Sequence, residues 1–398
     1  MIHLVNRVDS KLSTIMVAFD SGQRIELQNG FNMGIAHMLE HCLFKGTRGR
    51  DASQISRDIG FIGGASNAFT SHEMVAYFIT VPYENIEAAC EILSDILLNS
   101  TIPEEEFLKE REVVKEEEIS RLDDVDSFIW NTFSDDFFTN YLSTPVIGTQ
   151  DTISKFTRDE VYSFYKNFCG TKKGVVCISG KHTKRASKKL LKKYFGRPTS
   201  DDVSNSEIVR SAYSSGRKEI VRPGIEHTYV WVGYPGVPRK DALDPAARIL
   251  SIILGSGMDS RLFSEVRENR GLCYSIGSSH SQWDGGELFM VESSTREENL
   301  DGMLDIIDGE LKTIKESGVT DEELQRAKNK IKSAYYALDE SSYGMCTHSI
   351  KNMLFGTPMV DDLICEIDKV TNDDVLNAAN KILDSDKKYT IVCRGIQE

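Results

Sequence analysis

Two hydrophobic rhythms alternate along the first half of the chain. Ser13 to Phe19 and Met74 to Pro82 are dense in Val, Ile, Tyr, Phe and Thr between polar or glycine boundaries, which predicts β-strands. Ile35 to Phe44 and Glu84 to Leu98 place apolar residues three and four apart, which predicts helices, the first closed by Lys45-Gly46. Pro103 opens a strongly charged helix that runs to about Leu122, with Thr101 and Glu104 spaced as a capping box. Gly174 to Ser179 reads as a buried strand and Lys184 to Tyr194 as a basic amphipathic helix. Strands and helices mix without strict βαβ alternation, so the pattern favours an α+β fold with mainly antiparallel sheets.

Between 199 and 216 large apolar residues become sparse and Ser and Asp common, the composition of a linker. Beyond it the order resumes: a strand at Thr228 to Tyr234, helices at Leu243 to Leu254 and Ser260 to Glu268, and strands near Tyr274 to Ser279 and Glu287 to Glu292. A helix at Asp321 to Ala337 and a strand at Tyr389 to Cys393 follow. We therefore expect two similar domains, 1–198 and 217–398, joined by a linker at 199–216, each a mainly antiparallel sheet packed with helices.

Composition narrows the classes. A chain of 398 residues exceeds what one core usually organises, in keeping with two domains. No apolar run approaches the ~18 residues of a membrane span, and the first residues resemble neither a signal nor a transit peptide, so a cytoplasmic protein is expected, with no membrane partner. Eight dispersed cysteines without a Cys-x-x-Cys pair indicate reduced thiols. A net charge of −14 argues against nucleic acid as a partner, because phosphate binding needs a basic surface, and suits basic or weakly charged peptides.

The candidate chemistry lies in His37-Met38-Leu39-Glu40-His41. On a helix, residues four apart share a face, so both imidazoles can reach one ion, and Glu40 can take a proton from a water held there. The spacing alone also fits two histidines four apart with no metal. A catalytic zinc needs a third protein ligand and leaves a fourth position open. In the acidic helix, Glu110, Val113, Val114 and Glu117 fall on one face, which makes Glu117 the candidate ligand and Glu110 the acceptor for a ligating histidine's second N–H. The other acids, Glu104 to Glu106 included, read as a solvated charge run.

Gly34 to Thr47, which contains the His37–His41 motif, resembles the signature of the pitrilysin-type zinc metallopeptidases, in particular the branch similar to the mitochondrial processing peptidase. That family's distal zinc ligand lies in a Glu-Arg-x-Val-Val-x-x-Glu segment, matched here by Glu110 to Glu117, and the separation 117 − 41 = 76 agrees with its usual spacing. Gly63 to Thr70 is similar to the family's edge strand, which implies that Asn67, Ala68, Phe69 and Thr70 pair with an extended substrate. Asn67, His72 and Glu73 are placed at the cleft, His72 as a polar strand-end residue rather than a fourth ligand. Ser260 to Tyr274 resembles the segment that supplies an arginine and a tyrosine to the substrate, and Arg267 and Tyr274 occupy the matching places. The early Gly-Ser-Arg-x-Glu segment of the family departs locally, reading Ser21-Gly22-Gln23-Arg24-Ile25-Glu26.

The resemblance implies a zinc endopeptidase acting on peptides or unfolded segments, with one Zn2+ per chain, Glu40 as general base, and Arg267 and Tyr274 stabilising the oxyanion. It also implies pairing of two copies into a homodimer, since this chain holds only two of the homologous domains. The rivals are a non-catalytic peptide-binding or structural subunit and a chain active only in a heterodimer.

Overall fold

Two five-stranded sheets organise the chain. The structure, a computed structural model, describes residues 1–7, 9–169, 174–197 and 208–395. The first sheet contains β1 (Ile2–Arg7), β2 (Leu12–Phe19), β3 (Ala65–Thr70), β4 (Val75–Pro82) and β5 (Gly174–Gly180), in the order β1-β5-β2-β4-β3. The second contains β6 (Gly216–Arg222), β7 (Thr228–Tyr234), β8 (Cys273–Trp283), β9 (Gly286–Thr295) and β10 (Tyr389–Gly395), in the order β6-β10-β7-β9-β8. Both follow the order first, fifth, second, fourth, third. Among the described residues only the β1–β5 and β6–β10 pairings are parallel. The expected α+β class and the duplicated, mainly antiparallel architecture are both present.

The chain divides into two compact units, and each is discontinuous in sequence. In place of two continuous domains, 1–198 and 217–398, the first unit comprises 1–124, 144–207 and 336–359, and the second comprises 125–143, 208–335 and 360–398. Each sheet thus receives one helix from the other half of the chain. The reason lies in the central strands. In β2, Ile15, Val17 and Phe19 join a core with the helices of the same half, while Met16 and Ala18 point to the opposite face, as alternation along a strand requires. That second face is covered by the helix Ser342–Phe355 through Cys346, Ile350, Leu354 and Phe355. In the second unit the helix Val125–Phe137 plays this part, packing Ile129, Phe133 and Phe137 on Trp231, Leu288, Met290 and Ile391.

Of the expected linker, 199–207 lie outside the described residues. Residues 208–216 are laid against the second unit, where the Tyr213 hydroxyl donates to Glu287 at 2.7 Å. The charged helix spans Glu104–Asp123, but Thr101 does not cap it. Pro103 is the N-cap, Ile102 takes a φ of +43°, and both the N–H and the hydroxyl of Thr101 turn to the Gly46 carbonyl, at 3.1 and 3.4 Å. The predicted helix at Ser260 to Glu268 is wound as a π-helix over Phe263–Glu268. All eight cysteines are unpaired. Among the described residues no helix is long and apolar enough to cross a membrane.

Candidate metal centre

The helix Ile35–Leu43 lies between β2 and β3, and its buried residues Ile35, Ala36, Met38, Leu39, Cys42 and Leu43 anchor it in the core. That leaves His37, Glu40 and His41 on the remaining face, only partly covered. On the helix Glu104–Asp123 the buried stripe is Phe107, Glu110, Val114 and Glu118. Val113, expected on the same face, is 49% exposed, while Glu117 stands at the margin of the stripe.

His37, His41 and Glu117 come together with one donor atom each, all within 4.8 Å of one another. The His37 Nε2 lies 3.7 Å from one Glu117 carboxylate oxygen and the His41 Nε2 lies 3.3 Å from the other. Ligands about 2.0–2.2 Å from a tetrahedral zinc sit roughly 3.3–3.6 Å apart, so the residues present fit such an ion. Two imidazoles and a carboxylate are also a donor set that zinc accepts, with a fourth position left open.

Without an ion, the two histidines differ in protonation. Burial, helped by the proximity of His41, pushes the His37 pKa down to about 4, so its imidazole is neutral near pH 7. Its Nδ1 is buried without a hydrogen-bond partner. For His41, hydrogen bonds to Glu117 and Glu110 outweigh the lowering effect of burial and raise its pKa. The His41 Nδ1 is 3.2 Å from Glu110, so a proton kept there would leave Nε2 available to an ion once Nε2 gives up its own proton to bind it. Glu110 is in turn 2.7 Å from the Lys45 ammonium. The hydrogen bond to His41 holds the Glu117 carboxyl below its usual range.

Glu40 projects beside this cluster and accepts a 2.6 Å hydrogen bond from the Thr70 hydroxyl at the end of β3. Burial raises its pKa, against the lowering effect of Thr70. β3 is the edge of its sheet, so its outer side has no strand partner among the described residues, and Asn67 is exposed while Ala68, Phe69 and Thr70 are half-buried. His72 is buried, with Nδ1 2.6 Å from the Gln23 side-chain oxygen, and burial pushes its pKa down to about 4. Glu73 is buried as well.

Arg267 and Tyr274 lie in the second unit. The Arg267 guanidinium is 5.0 Å from the Tyr274 ring and 4.7 Å from Phe263. Tyr274 is 79% exposed, in an irregular stretch of β8 between Cys273 and Ile276. Arg267 lies in the π-helix and is half-buried.

The sequence reading missed two contributors: Lys45, which pairs Glu110, and the Thr70 bond to Glu40. Lys45 follows His41 by four residues, so helical spacing was a usable signal. The Thr70 bond depends on a contact between segments and leaves no local pattern.

Comparison with known proteins shows the family. Residues 2–150, which hold the cluster, match the family described as insulinase (peptidase family M16), and residues 155–331 match the peptidase M16 inactive domain. An uncharacterized zinc protease of Streptomyces coelicolor is 33% identical, the match covering 88% of this chain and 78% of that protein. One from Rickettsia felis is 33% identical over 92% of this chain and 88% of its own length. The crystal structure of a protease from Helicobacter pylori superposes with a TM-score of 0.89 at 23% identity, covering 98% of this chain and 96% of that one, a likeness of fold. With matching sequence along both halves, this chain belongs to peptidase family M16, the insulinase family.

Proposed function

We propose that this protein is a zinc-dependent endopeptidase that hydrolyses peptides or unfolded polypeptide segments. The observation that carries the reading is the convergence of His37, His41 and Glu117, with Glu40 held beside them by Thr70. When bound, zinc supplies Lewis acidity, which acidifies water and polarises a carbonyl. His37, His41 and Glu117 would hold the ion, and Glu110 would orient His41. Glu40 takes the proton from the attacking water and returns it to the leaving amine nitrogen, a role that its raised pKa favours. An extended substrate adds to the open edge of β3 through backbone hydrogen bonds, which a folded domain cannot offer. Arg267 and Tyr274 donate to a substrate carbonyl or the developing oxyanion. Two copies of the chain form the working unit.

A second reading, a non-catalytic subunit or one that needs a different partner, is favoured only by the match of residues 155–331 to the inactive domain. Zinc content and cleavage of an internally quenched peptide separate the two. Glu40→Gln is expected to retain zinc and lose about 10²–10⁴-fold in turnover, and Glu117→Ala to lose the zinc itself. Near-wild-type turnover in the first variant removes Glu40 from the mechanism, and zinc without cleavage of any peptide in the wild type favours the second reading.

A further inference from the structure

One fully buried carboxyl takes no part in the chemistry above. Glu26 lies on the short helix Gln23–Gln28 and is 0% exposed. Its Oε2 accepts from the Gly34 N–H and its Oε1 from the Ala36 N–H, each at 2.8 Å. These are the amides at the start of the helix that presents His37, Glu40 and His41.

That helix needs an acceptor from elsewhere. The first N–H groups of any helix have no partner within it. Here the N-cap is Gly34, which has no side-chain oxygen, and no side-chain cap bond is made at that position. The usual Ser, Thr, Asp or Asn is excluded there: Gly34 has a φ of +93°, and a Cβ would lie 2.5 Å from the Ile147 carbonyl oxygen. A carboxyl group eight residues upstream takes the place of the cap, at the positive end of the helix dipole.

The same support reaches Glu40. The N–H groups of Gly22, Gln23 and Arg24 donate to the carbonyls of Glu73, Ser71 and His72, at 3.2, 3.3 and 2.9 Å. The short helix is thereby bonded to the turn after β3, and Thr70, the last residue of β3, donates to Glu40. The start of the histidine helix and the Glu40 carboxyl are referenced to one stretch of backbone.

We propose that Glu26 is a positioning residue: by holding the Gly34 and Ala36 amides it fixes the placement of the helix carrying His37, Glu40 and His41 relative to Thr70 and Glu117. Its kinetic consequence rests on the peptidase reading, whereas its structural consequence does not. Burial pushes the Glu26 carboxyl up to about 8, so the site accommodates a neutral group near pH 7 and Glu26→Gln is expected to fold. The amide keeps one oxygen and turns an NH2 group toward the other backbone N–H, so one of the two bonds is lost.

The test uses the full chain. In metal-free Glu26→Gln, amide hydrogen exchange at Gly34, Ala36 and the following turn should speed up at least about tenfold while β2, β4 and β5 stay protected. Cobalt(II), used as a spectroscopic probe, should bind about tenfold or more weakly with an altered visible spectrum. In the zinc-loaded enzyme kcat should fall about tenfold with KM within about twofold. Wild-type exchange, cobalt spectrum and kcat in the variant overturn the proposal, as does a general loss of stability with an unchanged cobalt spectrum. Should the variant fail to fold, wild-type exchange decides: protected Gly34 and Ala36 amides support the proposal, and amides as fast as an open loop overturn it. A wild type that cleaves no peptide defeats the peptidase reading, while exchange and cobalt binding still decide the role of Glu26.

Discussion

The two units share one sheet order and use the first long helix after the second strand in opposite ways. In the first, Ile35–Leu43 carries His37 and His41 four residues apart, with their Nε2 atoms 3.7 and 3.3 Å from the Glu117 carboxylate, an arrangement that could hold an ion. In the second, Asp244–Gly255 carries Asp244 and Arg248, also four apart, and they close on each other. Arg248 donates twice to Asp244, each bond 3.1 Å, and once to Gln282 at 3.0 Å, while the Gln282 amide donates to Asp244 at 2.9 Å. A polar cluster that neutralises itself has nothing left to offer a ligand. The same scaffold therefore supports either a metal-capable site or a structural network, and the side chains on one helix decide which.

That contrast is broken most directly at Asp244. If the second unit's helix were a lapsed binding site, Asp244→Ala would be tolerated. As a member of a closed network, Asp244 leaves Arg248 mostly buried and without its carboxylate when removed. The expected cost is about 3 kcal/mol, read as an earlier urea transition of the second unit, with zinc content unchanged. A variant as stable as wild type would mean that the network is dispensable.

The pH dependence sharpens the contrast further. In the second unit burial works to raise the Glu323 carboxyl, but hydrogen bonds from Arg261 and the Thr320 N–H outweigh it and bring the pKa down to about 2 from 4.5. A carboxyl depressed on folding stabilises above its unfolded pKa, and that contribution is lost as pH falls from about 4.5 toward 2. Allowing for solvent screening, Glu323→Gln should remove about 1–2 kcal/mol at pH 7 and converge with wild type near pH 2. Glu26 in the first unit has the opposite sign: its pKa is raised to about 8, so its contribution is greatest below 4.5 and declines as pH rises through 8. Thermal midpoints of the two variants against wild type across pH 3 to 8 should diverge in these opposite directions. Parallel trends would show that the two carboxyls are not set apart by their surroundings.

Much of this contrast could be read in the sequence, and the limits have physical causes. The central strands β2, β4, β5, β7, β9 and β10 are rich in large apolar and β-branched residues because both their faces are covered, so composition alone located them. The edge strands β1 and β6 carry more polar residues, as in Gly-Arg-Lys-Glu-Ile-Val-Arg of β6, and escaped notice; β3 was located only through the family resemblance. Nothing in Ser342–Phe355 or Val125–Phe137 says which sheet it will cover, because an apolar face specifies burial and not the partner. At the site, helical spacing brought out His37, Glu40 and His41, and the family pattern supported the choice of Glu117. Glu26 falls on the glutamate of the family's Gly-Ser-Arg-x-Glu segment, but that pattern gives no role, since its partners are backbone amides in another segment.

The smallest effect tests the contrast within a single hydrogen bond. In each unit a hydroxyl on an edge strand reaches the first long helix after the second strand: Thr70 donates to the Glu40 carboxylate at 2.6 Å, and Ser278 donates to the Ser251 backbone carbonyl at 2.7 Å. The first bond ends on a group assigned to proton transfer and the second on a group that only holds structure. Thr70→Val keeps shape and strand preference, so stability should stay within about 0.5 kcal/mol. Its kcat should fall about three- to tenfold at unchanged zinc content, because Glu40 is left free to turn away from the attacking water. Ser278→Ala should do the reverse, costing about 1 kcal/mol of stability and leaving kcat unchanged. Equal effects of the two changes on kcat would mean that both bonds only hold strand to helix, and Thr70 would then have no part in orienting the base.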